Sequence, residues 1–239
     1  MSCILNIETS TSVCSVALSM DGEVLFAKAS FDGPSHAALL GVFVEEALSV
    51  LKKKGKKALD AVAVSSGPGS YTGLRIGVSV AKGLCFGFGI PLIGIHTLDI
   101  MAATVYSKGD SQIVSITDDC LYCAMLDARR MEVYAAIYDA SLKPVRETKA
   151  DIVEAGTYAS YLEKGKVCFF GNGASKCKSV ITSPNAIFIE DIHPLAVNMI
   201  PLSEQAFAAG KFEDTAYFEP FYLKEFQATV AKNKVLLAR

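Results

Sequence analysis

Short apolar runs with a period of two open the chain. Residues 3–8 are almost wholly apolar, and residues 13–19 set Val13, Ser15 and Ala17 against Cys14, Val16 and Leu18. Asp21-Gly22 then turns the chain tightly into residues 23–29. This pattern predicts an antiparallel meander of three strands. After Gly33-Pro34 the period lengthens: Leu40, Phe43, Val44, Ala47, Leu48 and Leu51 share one face of a helix, with Ser35 placed to cap it and Gly55 to stop it. Leu39, Val42 and Val50 widen that face beyond what packing on one sheet requires. Residues 59–65 read as a buried strand that enters the loop Ser66-Gly67-Pro68-Gly69-Ser70-Tyr71-Thr72. A helix over 73–88 follows, capped by Thr72 or Ser70, then a strand over 91–95 and a helix over 98–106.

The second half repeats the theme. Strands are predicted over 112–117, 121–126 and 132–138, a helix over 158–163, strands over 167–170 and 187–189, and a helix over 196–211 that runs through Pro201. Each half opens on meandering strands and closes on alternating strand and helix. The order predicts two α/β lobes, 1–107 and 108–239, with the last helix free to return to the first lobe. Two lobes of like build suggest the actin-like ATPase architecture of acetate and sugar kinases, Hsp70 and actin.

Charge narrows the choice of partners. Lys plus Arg number 23 against 25 Asp plus Glu, so a nucleic acid is not expected to be held by this chain unaided. The dense basic run, Lys52, Lys53, Lys54, Lys56 and Lys57, reads as a solvated helix end. The start of the chain does not read as a signal peptide, and the most apolar stretch, 83–95, is broken by Pro91 and too short for a membrane span. Seven cysteines scattered through apolar segments fit reduced thiols in a cytoplasmic core, and Cys120 and Cys123 form a C-x-x-C without a second pair or clustered histidines.

Chemistry is suggested in three places. The run S-S-G-P-G-S-Y-T-G-L-R from Ser65 to Arg75 puts bare backbone N–H groups at a helix start, which suits a phosphate as well as it suits a tight turn. It is not a Walker A loop, and its G-x-G-x-x-x-G spacing is one residue too long for the dinucleotide fingerprint. Glu8-Thr9-Ser10-Thr11-Ser12 offers hydroxyls and a carboxylate at a strand end, the polar half of a strand turn or a phosphate site. Thr9, Ser10, Gly67, Gly69, Ser70 and Thr72 are the candidate nucleotide contacts. Third, Gly73, Gly77 and Ala81 form a small-residue stripe, with Val80 and Leu84 on another, along a helix that must be covered on both sides. With His36, Leu39 and Phe43 of the preceding helix these residues are the candidate partner interface. The histidines His36, His96 and His193 lie far apart, no G-x-S-x-G elbow occurs, and neither a catalytic residue nor a metal site is assigned.

Taken together, I-L-N-I-E-T-S at 4–10, S-S-G-P-G-S-Y-T-G-L-R-I-G at 65–77, D-A-R-R-M-E-V-Y at 127–134 and P-F-Y-L-K at 220–224 resemble the TsaB (YeaZ) family nearly end to end. The resemblance implies the actin-like fold and a scaffold for TsaD, the catalytic paralogue that threonylcarbamoylates the adenosine beside the tRNA anticodon. TsaE would be a third component, and tRNA would be met only through the complex. It also implies a dimer face on the two helices of the first lobe, which self-association would share. TsaD carries metal-binding histidines in a G-V-H-H-x-x-G-H segment. The matching stretch here, Gly94 to Met101, has Thr97 and Met101 at two of those places, and neither replaces an imidazole. The glycine loop of the second lobe is reduced to Gly171-Asn172-Gly173-Ala174. The expectation is therefore a pseudo-enzyme with no tightly bound cofactor, with ATP or ADP admitted at the partner interface and the choice between interface and cleft left open. A stand-alone ATP-dependent kinase and a metallopeptidase of the M22 type are the competing readings.

Overall fold

The computed structural model describes residues 2–33, 35–55, 58–109 and 120–224. The strand expected over 112–117 and the basic residues Lys56 and Lys57 lie outside them, and the expected lobe boundary falls in the last turns of the third helix.

Strands β1 (Cys3–Glu8), β2 (Cys14–Met20), β3 (Glu23–Ser30), β4 (Ala61–Gly67) and β5 (Leu92–His96) form one sheet in the order β3-β2-β1-β4-β5. β1, β2 and β3 pair antiparallel, whereas β4 and β5 add in parallel. Strands β6 (Cys120–Asp127), β7 (Glu132–Tyr138), β8 (Pro144–Ile152), β9 (Lys166–Phe170) and β10 (Ala186–Ile189) form the second sheet. Its order, β8-β7-β6-β9-β10, and its mixture of antiparallel and parallel pairs repeat the first strand for strand.

The helices repeat as well, at different scale. α1 (His36–Lys53) and α2 (Tyr71–Phe88) occupy the connections after β3 and β4. α4 (Ala159–Leu162) and α5 (Ala174–Cys177) occupy the same two connections in the second lobe but last one turn each. α2 is well punctuated: the Ser70 hydroxyl accepts from Gly73 N at 3.3 Å, and Gly89 closes the helix at φ 66°. Ser35 begins α1 but makes no capping bond, its hydroxyl donating instead to Gly33 O.

The closing helices tie the lobes together. α3 (Thr97–Gly109) follows the first sheet yet sends Leu98, Met101, Ala102 and Val105 into the core beneath β6, β7 and β9. α6 (Ala196–Ala208) follows the second sheet and returns to the first, where Met199 meets Ile4, Ala61 and Ile93, and Ala196 and Ile200 meet Ala17. Glu204 of α6 fixes that return, accepting from Ser2 Oγ at 2.6 Å, Gly22 N at 3.1 Å and Ser19 Oγ at 3.2 Å. Beyond α6 the chain runs back along the first lobe. Glu213 N donates to Leu92 O, Lys82 Nζ holds the carbonyls of Ala216 and Phe218, and Phe221 N donates to Ser66 O at 2.7 Å.

Candidate functional site

The end of β1 and the loop from β4 to α2 meet, and they meet closely. Ser70 N donates to Ser10 O at 2.6 Å, and Thr9 Oγ1 donates to Gly73 O at 2.8 Å. A Cβ at Gly69 would sit 2.4 Å from Ser10 O. Gly67, at φ 107°, needs its glycine twice over, because a Cβ there would also lie 2.7 Å from Phe221 O. The glycines of the loop thus admit the chain's own backbone.

That geometry corrects the expectation of an open phosphate cradle. Thr9 and Ser10 are 0% and 1% exposed, and their hydroxyls face inward. Gly67 is buried beneath Phe221 and Gly69 is half-buried against Ser10, while Ser70 is committed to capping α2. Of the six candidate nucleotide contacts only Ser70 and Thr72 are exposed. Glu8, directly before them, is fully buried. Burial pushes its carboxyl up to about 7 against the pull of hydrogen bonding from Ser10. One oxygen accepts from Ser10 N at 2.5 Å and the other has no partner among the described residues.

The small-residue stripe is corrected in the same way. Gly73, Gly77 and Ala81 point into the lobe, where Cβ atoms on Gly73 and Gly77 would lie 2.1 Å from Thr9 O and 2.3 Å from Thr9 Oγ1. His36 and Phe43 are buried too, His36 Nε2 lying 2.8 Å from Thr11 O. Leu39, Val80 and Leu84 remain partly exposed. The open face of the two helices carries Ala37, Ala38, Gly41, Val42 and Glu45 from α1, and Thr72, Arg75, Ser79, Gly83 and Phe86 from α2. Phe86 is 88% exposed, a large ring with no cover among the described residues.

Between the lobes lies a cleft of about 390 Å³, bordered by His96, Asp99, Tyr138, Glu147, Thr148 and Phe221. Its lining residues include two carboxylates and, among the described residues, no lysine or arginine, a poor match for a polyphosphate. Tyr138 donates its hydroxyl to Asp99 at 2.6 Å, and burial together with that carboxylate holds the phenol far above its usual range. The metal question turns on α3. Thr97 and Met101 are both fully buried, and the Met101 methyl fills the space that a Cβ on Gly171 would take, 2.1 Å away. Among the described residues no three of His, Cys, Asp and Glu converge as a metal site would require. Sequence reading missed the returning C-terminal segment and the acidic cleft, since neither has a periodicity of its own.

Two lobes of duplicated topology, interlocked by their last helices around a cleft, place this chain in the actin-like ATPase class of α/β proteins. The TsaD family profile, described as tRNA N6-adenosine threonylcarbamoyltransferase, matches residues 33–232. The tRNA threonylcarbamoyladenosine biosynthesis protein TsaB of Escherichia coli (strain K12) is 32% identical over 232 residues, spanning 92% of this chain and 94% of the relative. TsaB of Bacillus subtilis (strain 168) is 28% identical over 181 residues, spanning 74% of each chain. The solved structure of YeaZ from Pseudomonas aeruginosa superposes with a TM-score of 0.72 at 26% identity, covering 93% of this chain and 100% of that one. The chain belongs to the TsaB (YeaZ) family.

Proposed function

We propose that this chain is the non-catalytic partner subunit of the machinery that makes threonylcarbamoyladenosine in tRNA, pairing with TsaD and working with TsaE in the cytoplasm. The observation that carries the reading is the face of α1 and α2 that no described residue covers, where Val42, 47% exposed, and Phe86 stand out as large apolar side chains. Partly exposed Leu39, Ile76, Val80 and Leu84 supply the contact area around them. Membership of the TsaB family supports TsaD as the partner, and self-association would compete for the same face. The filled space at Met101 and the inward Thr9 and Ser10 support a subunit without its own catalytic centre. Among the described residues no helix is long and apolar enough to cross a membrane.

Size-exclusion chromatography of this chain with TsaD is expected to give a heterodimer. Ser79→Arg, on the open face, should weaken it about 30-fold, because the added guanidinium would be buried unpaired. Reconstituted tRNA modification should depend on this chain, and full TsaD activity in its absence would sink the reading. Any ATP or ADP is assigned to the partner interface. Calorimetry of the isolated chain with magnesium and ATP is therefore expected to give no tight binding, whereas a tight complex would favour the kinase instead.

A further inference from the structure

The hairpin between β6 and β7 turns through Arg129 and Arg130, at φ 69° and 46°. Left-handed backbone is unfavourable for any residue with a Cβ and is ordinarily left to glycine or asparagine. Both arginines are exposed, so no packing of their side chains offsets the strain. The hairpin's two carboxylates are already matched, Asp127 by Lys176 and Glu132 by Lys224. Neither guanidinium has a hydrogen-bond or ion-pair partner among the described residues. Strain at an exposed turn that presents two unmatched cations calls for a ligand.

The surroundings define its chemistry. Half-buried Tyr134 lies close enough to Arg129 and Lys224 to feel both charges. Lys224 lies in the returning segment, in which Tyr222 packs on Tyr71 with ring centroids 5.1 Å apart. The guanidinium of Arg75 lies over the Tyr71 ring at 5.1 Å. Cations and aromatic rings therefore alternate from α2 of the first lobe to the hairpin of the second. The pattern suits a nucleic-acid backbone, whose phosphates take arginine forks and whose bases and sugars lie against rings.

We propose that this band contacts the phosphate backbone of RNA, with Arg129 and Arg130 gripping successive phosphates. The choice of RNA rests on the role proposed above. The net charge of −2 keeps the isolated chain's affinity low, so the band adds its contacts to those of the assembled complex.

The test compares the full chain with Arg129→Asn/Arg130→Gly, whose new residues tolerate the turn. An unmodified tRNA transcript is titrated by fluorescence anisotropy over a range of KCl, with each protein alone and mixed with TsaD. The variant should melt about 3 °C higher as strain is released. It should bind the transcript about tenfold more weakly, with a salt slope shallower by about 1.5, and co-elute with TsaD as before. Unchanged affinity and slope, a lower melting temperature, or no binding by the wild-type chain in either setting would each overturn the proposal. Loss of TsaD co-elution in the variant would reassign the turn to an acidic protein surface. A wild-type chain that binds the transcript but never co-elutes with TsaD would sink the partner reading and leave this one standing.

Discussion

Glu8→Gln is expected to flatten the pH dependence of stability. The Glu8 carboxyl is fully buried, with one oxygen unpartnered among the described residues, and burial raises it from 4.5 to about 7. Between those two values the folded state holds a proton that the unfolded chain has released. The contribution of Glu8 is therefore intact below about pH 4.5, declines as pH rises, and is lost above about pH 7. Its size is on the order of 3 kcal/mol. Urea unfolding of wild type and variant should agree near pH 4.5 and diverge as pH rises, the variant becoming the more stable. A constant difference between the two across that range would show that the carboxyl titrates normally.

Sequence pattern reached the first lobe more fully than the second, for reasons visible in the residues. β1, β2, β4, α1 and α2 are built on apolar positions whose period reports directly on burial. β8 was not anticipated because its run, P-V-R-E-T-K-A-D-I, carries its alternation in charge. Arg146 and Asp151 take the inner positions and pair at 2.5 Å, with Tyr158 donating to the same carboxylate at 2.7 Å. An edge strand so charged is protected from pairing with another chain, and equally from recognition by hydropathy. α5 is a single turn, too short for a period to register. The duplicated order of strand and helix was legible even so, and it is repeated strand for strand in the two sheets.

At the site, the limit was direction. Helical spacing correctly groups Gly73, Gly77 and Ala81 on one face, but spacing cannot say what lies against that face. The answer comes from the end of β1, where Thr9 reaches across to Gly73 O, 64 residues away in sequence. The same holds for Gly67 and Gly69, whose neighbours Phe221 and Ser10 belong to remote segments. A glycine-rich loop is written for close approach by something, and here the something is the chain itself. Thr97 and Met101, by contrast, were singled out by resemblance, and the packing of Met101 against Gly171 gives that substitution a physical consequence.

A series along α2 separates inward glycines from outward ones and guards the partner test against misreading. Gly73→Ala is expected to cost about 3 kcal/mol, because its methyl would lie 2.1 Å from a backbone oxygen, Thr9 O, which can move only if β1 moves. Gly77→Ala meets a side chain, Thr9 Oγ1, at 2.3 Å. That hydroxyl can rotate away at the loss of its bond to Gly73 O, so about 2 kcal/mol is expected, less the helix propensity gained. Gly83→Ala meets nothing within 4 Å and should stabilise by up to about 1 kcal/mol. Urea titration of the three variants checks the order, and equal effects at all three positions would mean that Thr9 does not lie under α2. The consequence for pairing follows. Reduced assembly in a Gly73 or Gly77 variant reports on the fold of the first lobe, whereas reduced assembly in Ser79→Arg, with its melting temperature unchanged, reports on the face that α1 and α2 turn outward.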